Sequence, residues 1–413
     1  MRLLILTQYY PPETGAPQNR LSDLAQRLVA RGHRVQVLTA LPNYPGNAVF
    51  DTYRGRANTV EVLDGIEVAR VGLYVPRSRA LSRRMLSYFS FAYNARRYGP
   101  RLVEPVELIL MESPPPSVAL AAVALARRMK ARLVINISDL WPGSLVELAV
   151  GIPRPLIWAA ERLEAWMYRR ADLITGQTQG IVHDIQTRFP AKRVVLFPNG
   201  VDVGAYQQPL DRDGIRKEFG WTDEHFVVGY TGILGIPQAL DQVLDAALLL
   251  DDVPNLHFAF FGEGVRKEHL QARIARENIT SARVYPHQAR ERMPHIQAAL
   301  DAGLVPLSRG KVFEGARPSK MFEIMAAGRP LVVCACGEAA VIVNGASGGP
   351  AGVVAPPEEP AVLAQRLRPL LFDREAARQM GRRGQAYVYA HFDREQIAGQ
   401  LEQELLGVVT PPE

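Results

Sequence analysis

Short apolar runs recur along this chain, each followed by a stretch whose apolar residues fall at helical spacing. That alternation constrains the fold more than any other feature, because a doubly buried strand followed by a helix is the unit of a parallel α/β sheet. The first unit is Leu3-Leu4-Ile5-Leu6-Thr7, a loop rich in Pro, Gly and Tyr, and a helix opened by Pro17. Leu21, Leu24, Ala25, Leu28 and Val29 form that helix's apolar stripe, and Gly32 is able to end it in a left-handed conformation. Arg34–Thr39 supplies the next strand, with further strands expected at Ile66–Val71, Leu108–Met111, Leu133–Ile137, Leu173–Thr175 and Val194–Phe197. A second series starts at Phe226–Tyr230 and continues through Leu256–Phe261, Arg283–Tyr285, Gly303–Val305 and Leu331–Val333. Turn residues at Pro198–Asp202 separate the two series. The expected architecture is α/β, with Rossmann-like parallel-sheet domains at residues 1–200 and 201–390. A C-terminal helix at 391–413 either caps the second domain or packs back on the first. A length of 413 residues agrees with two cores rather than one.

Charge divides unevenly between these halves. Residues 1–200 hold 26 Lys+Arg against 15 Asp+Glu, and the remainder holds 22 against 27. The first half is therefore suited to an anionic partner: nucleic acid, a bilayer surface or a phosphate-bearing substrate. The longest apolar stretch, Val118–Ala126, is far shorter than the ~20 residues of a membrane span, and no secretory leader is evident, so a cytoplasmic location is expected. Cys334 and Cys336 share one face if both lie in a strand, where they read as small buried residues; two cysteines alone do not complete a zinc site.

Parallel α/β sheets bind ligands beyond the carboxyl ends of their strands, where helix N-termini favour phosphate. In the first half that loop contains Gly15, which permits close backbone approach, and Pro17, but no Gly-x-Gly-x-x-Gly. The second half is richer. Gly229-Tyr230-Thr231-Gly232 and Phe260-Phe261-Gly262-Glu263-Gly264 are strand ends running into glycine loops, with Arg266 and Lys267 following. Pro318-Ser319-Lys320 opens a helix on which Lys320 and Glu323, three apart, share a face. Such a pair serves a diphosphate and ribose hydroxyls, or is a solvated ion pair. Asp139, on the loop after Leu133–Ile137, either acts at the site or caps the next helix. Asp211-Arg212-Asp213 precedes a helix, so its acids read as helix-start residues rather than metal ligands.

Taken together, Pro198-Asn199-Gly200-Val201-Asp202, Gly229-Tyr230-Thr231-Gly232, Gly262-Glu263-Gly264 and Pro318-Ser319-Lys320…Glu323…Met325-Ala326-Ala327-Gly328-Arg329-Pro330 follow the order and spacing of retaining GT-B glycosyltransferases of family 4. The chain resembles that family over nearly its whole length. With Asp139-Leu140-Trp141-Pro142, it is most similar to the bacterial branch that builds O-antigen and capsular polysaccharides, which includes N-acetylfucosamine transferases. The resemblance implies two domains facing across a cleft, the donor held by the second and the acceptor mainly by the first, with no metal or other cofactor. It assigns donor binding to Gly15, Gly232, Gly264, Arg266, Ser319, Lys320 and the ribose-binding Glu323, with the Tyr285-Pro286 backbone at the base. Catalytic roles fall to Asp139, Lys320 and Glu314. Two departures stand out. Many relatives carry Arg and Lys where this chain has Ile233 and Gln238, and the usual first glutamate of Glu-x7-Glu falls at Gly315, leaving Glu314 to substitute through a local bulge.

The segment Pro76–Arg101 interleaves seven arginines with five Tyr and Phe and contains no acid. Arg79, Arg83, Arg84 and Arg97 on such a helix suit an anionic membrane surface, or form a solvated face over a buried aromatic stripe. No RNA-binding motif accompanies them, so nucleic acid is not expected as a partner. The resulting expectation is transfer of an N-acetylated hexosamine or deoxyhexosamine from a UDP-sugar to a lipid-diphosphate-linked saccharide, with retention, at the inner membrane. The alternatives are a UDP-N-acetylglucosamine 2-epimerase-like enzyme and a membrane-associated nucleotide-sugar-binding protein without turnover. The sequence does not specify an oligomeric state.

Overall fold

Strands that are apolar at every position need cover on both faces, and both sheets of this protein have it. The computed structural model describes residues 1–44, 48–76, 81–143 and 152–410. The chain divides into two units, Met1–Asn199 with Glu395–Glu413, and Gly200–Arg394.

The first unit contains β1 (Arg2–Leu6), β2 (Arg34–Ala40), β3 (Asn58–Leu63), β4 (Ile66–Val71), β5 (Leu108–Ser113), β6 (Arg132–Ile137), β7 (Leu173–Gly176) and β8 (Val194–Leu196). These pair in the order β3-β4-β2-β1-β5-β6-β7-β8, parallel except for β3 against β4. Alternate residues of β1 serve opposite faces. Leu4 and Leu6 join Phe91 and Ala95 of the helix Leu81–Leu102, while Leu3 and Ile5 join Leu21, Leu24 and Leu28 of the helix Ala16–Ala30. The last helix, Arg394–Val409, adds Ile397, Leu401 and Leu405 to that second cluster. Glu402 fastens it there, accepting from Arg31 at 2.8 Å and lying 2.6 Å from His33 Nε2.

The second unit contains β9 (Phe226–Thr231), β10 (Leu256–Phe261), β11 (Ala282–Tyr285), β12 (Ala302–Pro306), β13 (Leu331–Cys334) and β14 (Gly352–Ala355). Its order is β11-β10-β9-β12-β13-β14, parallel throughout. In each sheet the strand order reverses beside the first strand of the series, β1 or β9, which opens a crevice at the carboxyl ends.

Three details differ from expectation. β3 is an antiparallel edge strand turned back on β4 through Asp64-Gly65, both at positive φ; its Val60 and Val62 are solvent-facing, so its pattern is not that of a buried strand. β14 is four residues long and lies among turn residues. Finally, β13 ends at Cys334, so Cys334 is buried while Cys336 lies past the strand and is exposed; the two share no strand face.

Candidate active site

In the second unit the loops after β9 and β10 run against each other without side chains between them. The amide of Gly232 donates to the Phe261 carbonyl at 2.9 Å, and that of Leu234 to the Glu263 carbonyl at 2.8 Å. A Cβ on Gly262 would fall 1.8 Å from the Gly232 oxygen, and one on Gly264 2.3 Å from the Leu234 oxygen. Both glycines have φ of +153°, a region that side-chain-bearing residues rarely enter. These glycines therefore make the loop pair possible.

Lys320 reaches this loop pair from the start of the helix Ser319–Ala326, which follows Pro318. Its Nζ donates to the Tyr230 hydroxyl at 2.7 Å and lies 3.9 Å from the centroid of that ring. A Cβ on Gly232 would be 2.9 Å from the same Nζ. No carboxylate among the described residues hydrogen-bonds this ammonium. Enclosure pushes its pKa down to about 7, opposed by the charge of Glu323, although the residue as a whole is half-buried. A cation beside the exposed amides of a helix N-terminus is also unfavourable by itself. Both penalties vanish when an anion arrives.

Glu323, one turn further on, accepts from Gln297 Nε2 at 3.1 Å, and Gln297 is itself fixed by the Tyr206 hydroxyl at 2.6 Å. Gln297 is fully buried at 0% exposure, so the carboxylate has a fixed direction with one oxygen left over. Ser319 lies at the same helix start. Tyr285 ends β11 with its ring stacked on Phe261 at 4.7 Å, leaving backbone and the exposed Pro286 at the surface.

Other expected side chains are engaged or placed differently, although the Arg266 amide donates to the Leu234 carbonyl at 2.9 Å in the same loop pair. Arg266 follows Gly264, but its guanidinium is paired with Asp241, which also meets His269 at 2.8 Å and Arg273 at 3.3 Å. Glu314 ends the short helix Lys311–Glu314 and, with Cys336, lines a separate cavity of about 240 Å³ beside β12–β14. Ile233, where many relatives carry Arg, is 55% exposed, and Gln238 Oε1 is buried without a hydrogen-bond partner.

The corresponding end of the first unit is built oppositely. Arg20 and Glu112 are buried, 4% and 3% exposed, and paired at 2.7 Å. Arg20 also donates to Ser138 Oγ at 3.0 Å and Asn199 Oδ1 at 3.1 Å. Glu112 accepts from Asn136 Nδ2 at 2.6 Å, and Asn136 Oδ1 from Thr175 at 2.6 Å. The network spans β5, β6 and β7 and pins the turn on which the exposed Asp139 stands. Nearby, the Glu13 carboxylate accepts the amides of Tyr10, Asn43 and Tyr44 at 3.2, 2.7 and 2.8 Å, joining the loops after β1 and β2. Burial pushes its pKa up, and those amides oppose the shift. Gly15 caps the helix Ala16–Ala30 in extended conformation, its Cβ position 2.4 Å from Gln18 Oε1.

The arginines of the helix Leu81–Leu102 do not share one face. Arg83 and Arg97 flank Leu86, Phe89 and Tyr93, which are 58%, 47% and 64% exposed. Arg84 instead donates to the Tyr88 hydroxyl at 3.0 Å, beside Tyr9, and Arg79 lies outside the described residues. No helix among the described residues is long and apolar enough to cross a membrane.

Two family models match, the glycosyl transferase 4-like domain over residues 15–200 and glycosyl transferases group 1 over 211–387. WcaI of Escherichia coli K12, named as a colanic acid biosynthesis glycosyl transferase, is 27% identical over 348 residues, covering 81% of this chain and 83% of its own. Among solved structures, sucrose-phosphate synthase of Thermosynechococcus elongatus superimposes with a TM-score of 0.74 at 17% identity, covering 98% of this chain and 100% of that one. HepE of Anabaena, in complex with UDP and glucose, gives 0.73 at 18% over 98% and 100%.

Proposed function

Since this chain is a glycosyltransferase of the GT-B fold, carrying both the 4-like and the group 1 domain, we propose that it transfers a sugar from a UDP-sugar to a lipid-diphosphate-linked saccharide, with retention, in bacterial surface-polysaccharide synthesis. The observation that carries the donor half is Lys320. An ammonium held against Tyr230 with no carboxylate hydrogen bond among the described residues, facing two bare glycine loops, matches a diphosphate in charge. Glu323, aimed by Gln297, accepts from the ribose hydroxyls. UDP itself is suggested by HepE, whose structures contain it.

In the reaction the bond from the anomeric carbon to the diphosphate breaks through an oxocarbenium-like state, and the acceptor oxygen bonds to that carbon on the same face. The acceptor's proton passes to the departing phosphate oxygen. Lys320 and the amides at Ser319 stabilise the charge that grows there, which needs no metal or other cofactor. Asp139 orients the acceptor from the first domain, while Arg266, paired with Asp241, and Glu314, on another cavity's wall, contribute less. For the lipid side the support is the exposed row Leu86, Phe89 and Tyr93 between Arg83 and Arg97; Leu156 and Trp158 of the helix Arg154–Arg170 are exposed as well. Both helices pack on the same face of the sheet. A peripheral seat on an anionic bilayer follows from that surface.

The test is turnover of radiolabelled UDP-sugars, an N-acetylated hexosamine and a deoxyhexosamine among them, with membrane extract as acceptor source. Label moving into the lipid phase in an Lys320-dependent manner supports the reading. UDP release without acceptor, or tight UDP binding with no transfer to any extract, refutes it.

A further inference from the structure

At the amino ends of the second sheet, away from the donor loops, a cavity of about 540 Å³ opens among Arg212, Asp223, Asp301, Arg329, Arg374 and Arg378. Phe226, the first residue of β9, and Pro330, just before β13, also line it, which places it at the opposite end of these strands from Lys320.

Its lining is net positive, four arginines against two aspartates, and outside it Arg212 also meets Asp213 at 3.0 Å and Arg378 meets Glu375 at 3.3 Å. Asp301 is held by Arg216 at 3.0 Å and by the Val227 amide at 2.9 Å, and Asp223 stands 3.8 Å from Arg212. Arg374 donates to the carbonyls of Asp223, at 2.7 Å, and Glu224. Arg329 donates to the Ala298 carbonyl. Among the described residues neither guanidinium hydrogen-bonds a carboxylate, and Arg329 Nε is buried with no partner at all. Burial, reinforced by Arg212, Arg216 and Arg378 and opposed by Asp301, lowers the Arg329 pKa. Arg374 also opens the helix Arg374–His391, the end where a cation is least favourable, and Arg378 follows one turn on. Buried donors and clustered cations of this kind are stabilised by a bound anion.

The walls are rigid as well. Gly328 turns at a φ of +68° and a Cβ on Gly381 would fall 2.1 Å from its oxygen, so the helix Arg374–His391 sits directly on the turn that presents Arg329. Against ~30 Å³ for each liquid water, the volume admits a chain of phosphates rather than one small ion.

We propose that this cavity is a second anion site, distinct from the donor site, that takes a polyphosphate chain, either free or carried by a nucleoside. Inorganic tripolyphosphate is the probe, titrated calorimetrically into the full chain at low salt with saturating UDP present to occupy the donor site. The expected result is one UDP-resistant tripolyphosphate per chain, weakened at least tenfold in Arg374→Gln/Arg378→Gln and in Arg329→Met, and unchanged in Lys320→Ala. Arg378→Gln alone alters an exposed side chain, keeps the fold, and should weaken binding about threefold. Equal affinity for adenosine triphosphate identifies the phosphate chain as sufficient, and tighter affinity adds the nucleoside; both support the site. Absence of UDP-resistant binding, or binding indifferent to Arg378→Gln and Arg329→Met, overturns it. If Lys320→Ala leaves UDP affinity intact, the donor reading fails while this result stands.

Discussion

The two units present the same architectural place, loops at the carboxyl ends of a parallel sheet, with opposite treatment of charge. In the first, Arg20, Glu112 and Glu13 are all enclosed: Arg20 and Glu112 pair with each other and with Ser138, Asn199 and Asn136, leaving Arg20 Nε without a partner, and Glu13 is met by backbone amides. In the second, Lys320 has a phenol and two glycine loops but, among the described residues, no carboxylate hydrogen bond, and its pKa is pushed down to about 7 by enclosure. A network whose charges pair internally holds strands and turns in position. A charge left unmatched raises the energy of the empty protein and waits for a ligand. Identical reasoning about burial thus separates scaffold from site.

The comparison breaks most visibly on stability. Glu112→Ala strands Arg20 in the interior and should cost about 3–5 kcal/mol, whereas the paired Arg20→Met/Glu112→Leu replacement should recover most of it. Urea midpoints of the three proteins decide this, and a mild single variant would mean that the network is dispensable. Lys320→Met should act in the other direction, raising apo stability by about 0.5–2 kcal/mol while weakening UDP by about 1.5–3 kcal/mol, the range for a hydrogen bond to a charged group. A variant that loses both stability and affinity would make Lys320 structural, and the contrast between the units would disappear.

On the outer helix, Arg83→Gln/Arg97→Gln should reduce binding to phosphatidylglycerol vesicles by about 1 kcal/mol for each arginine. Arg84→Gln should leave sedimentation with vesicles unchanged, because Arg84 belongs to the Tyr88 cluster instead. Equal losses from all three would return Arg84 to the lipid-facing surface. The smallest effect is expected from Glu323→Gln, about 1 kcal/mol against a nucleotide with ribose hydroxyls and none against pyrophosphate. Equal changes for the two ligands would detach Glu323 from the ribose.

The parallel architecture was legible because its central strands carry near-continuous apolar runs, a pattern that two-sided burial imposes on Leu3–Leu6 and Phe226–Tyr230 alike. Strand β3 escaped for the converse reason: an edge strand needs no such run, and the Asp64-Gly65 turn was its one local signal. Within the proposed donor site, glycine loops and the Pro318–Glu323 segment are contiguous in sequence and therefore readable. Tyr230 as the partner of Lys320, and Gln297 as the brace of Glu323, depend on contacts across 90 and 26 residues. Arg20 and Glu112, 92 apart, carry no motif at all. The family resemblance assigns Arg266 to the donor, and only folding brings Asp241 to it.

The central claim, that Lys320 is a cation kept for the donor's diphosphate, is tested most directly by proton linkage. Unbound, Lys320 titrates at about 7, and a bound diphosphate raises that value, so binding takes up a proton at any pH between the two. A UDP-sugar, being a diphosphate diester, has no ionisation of its own near neutrality. Calorimetric titration of UDP-N-acetylglucosamine from about pH 6 to about pH 9, in buffers of different ionisation enthalpy, should show affinity level below about pH 7 and approaching a tenfold fall per pH unit well above it, with uptake nearing one proton. Lys320→Arg, which stays charged throughout, should flatten the curve. A wild-type affinity that is independent of pH, without proton uptake and unchanged in Lys320→Ala, would contradict the account.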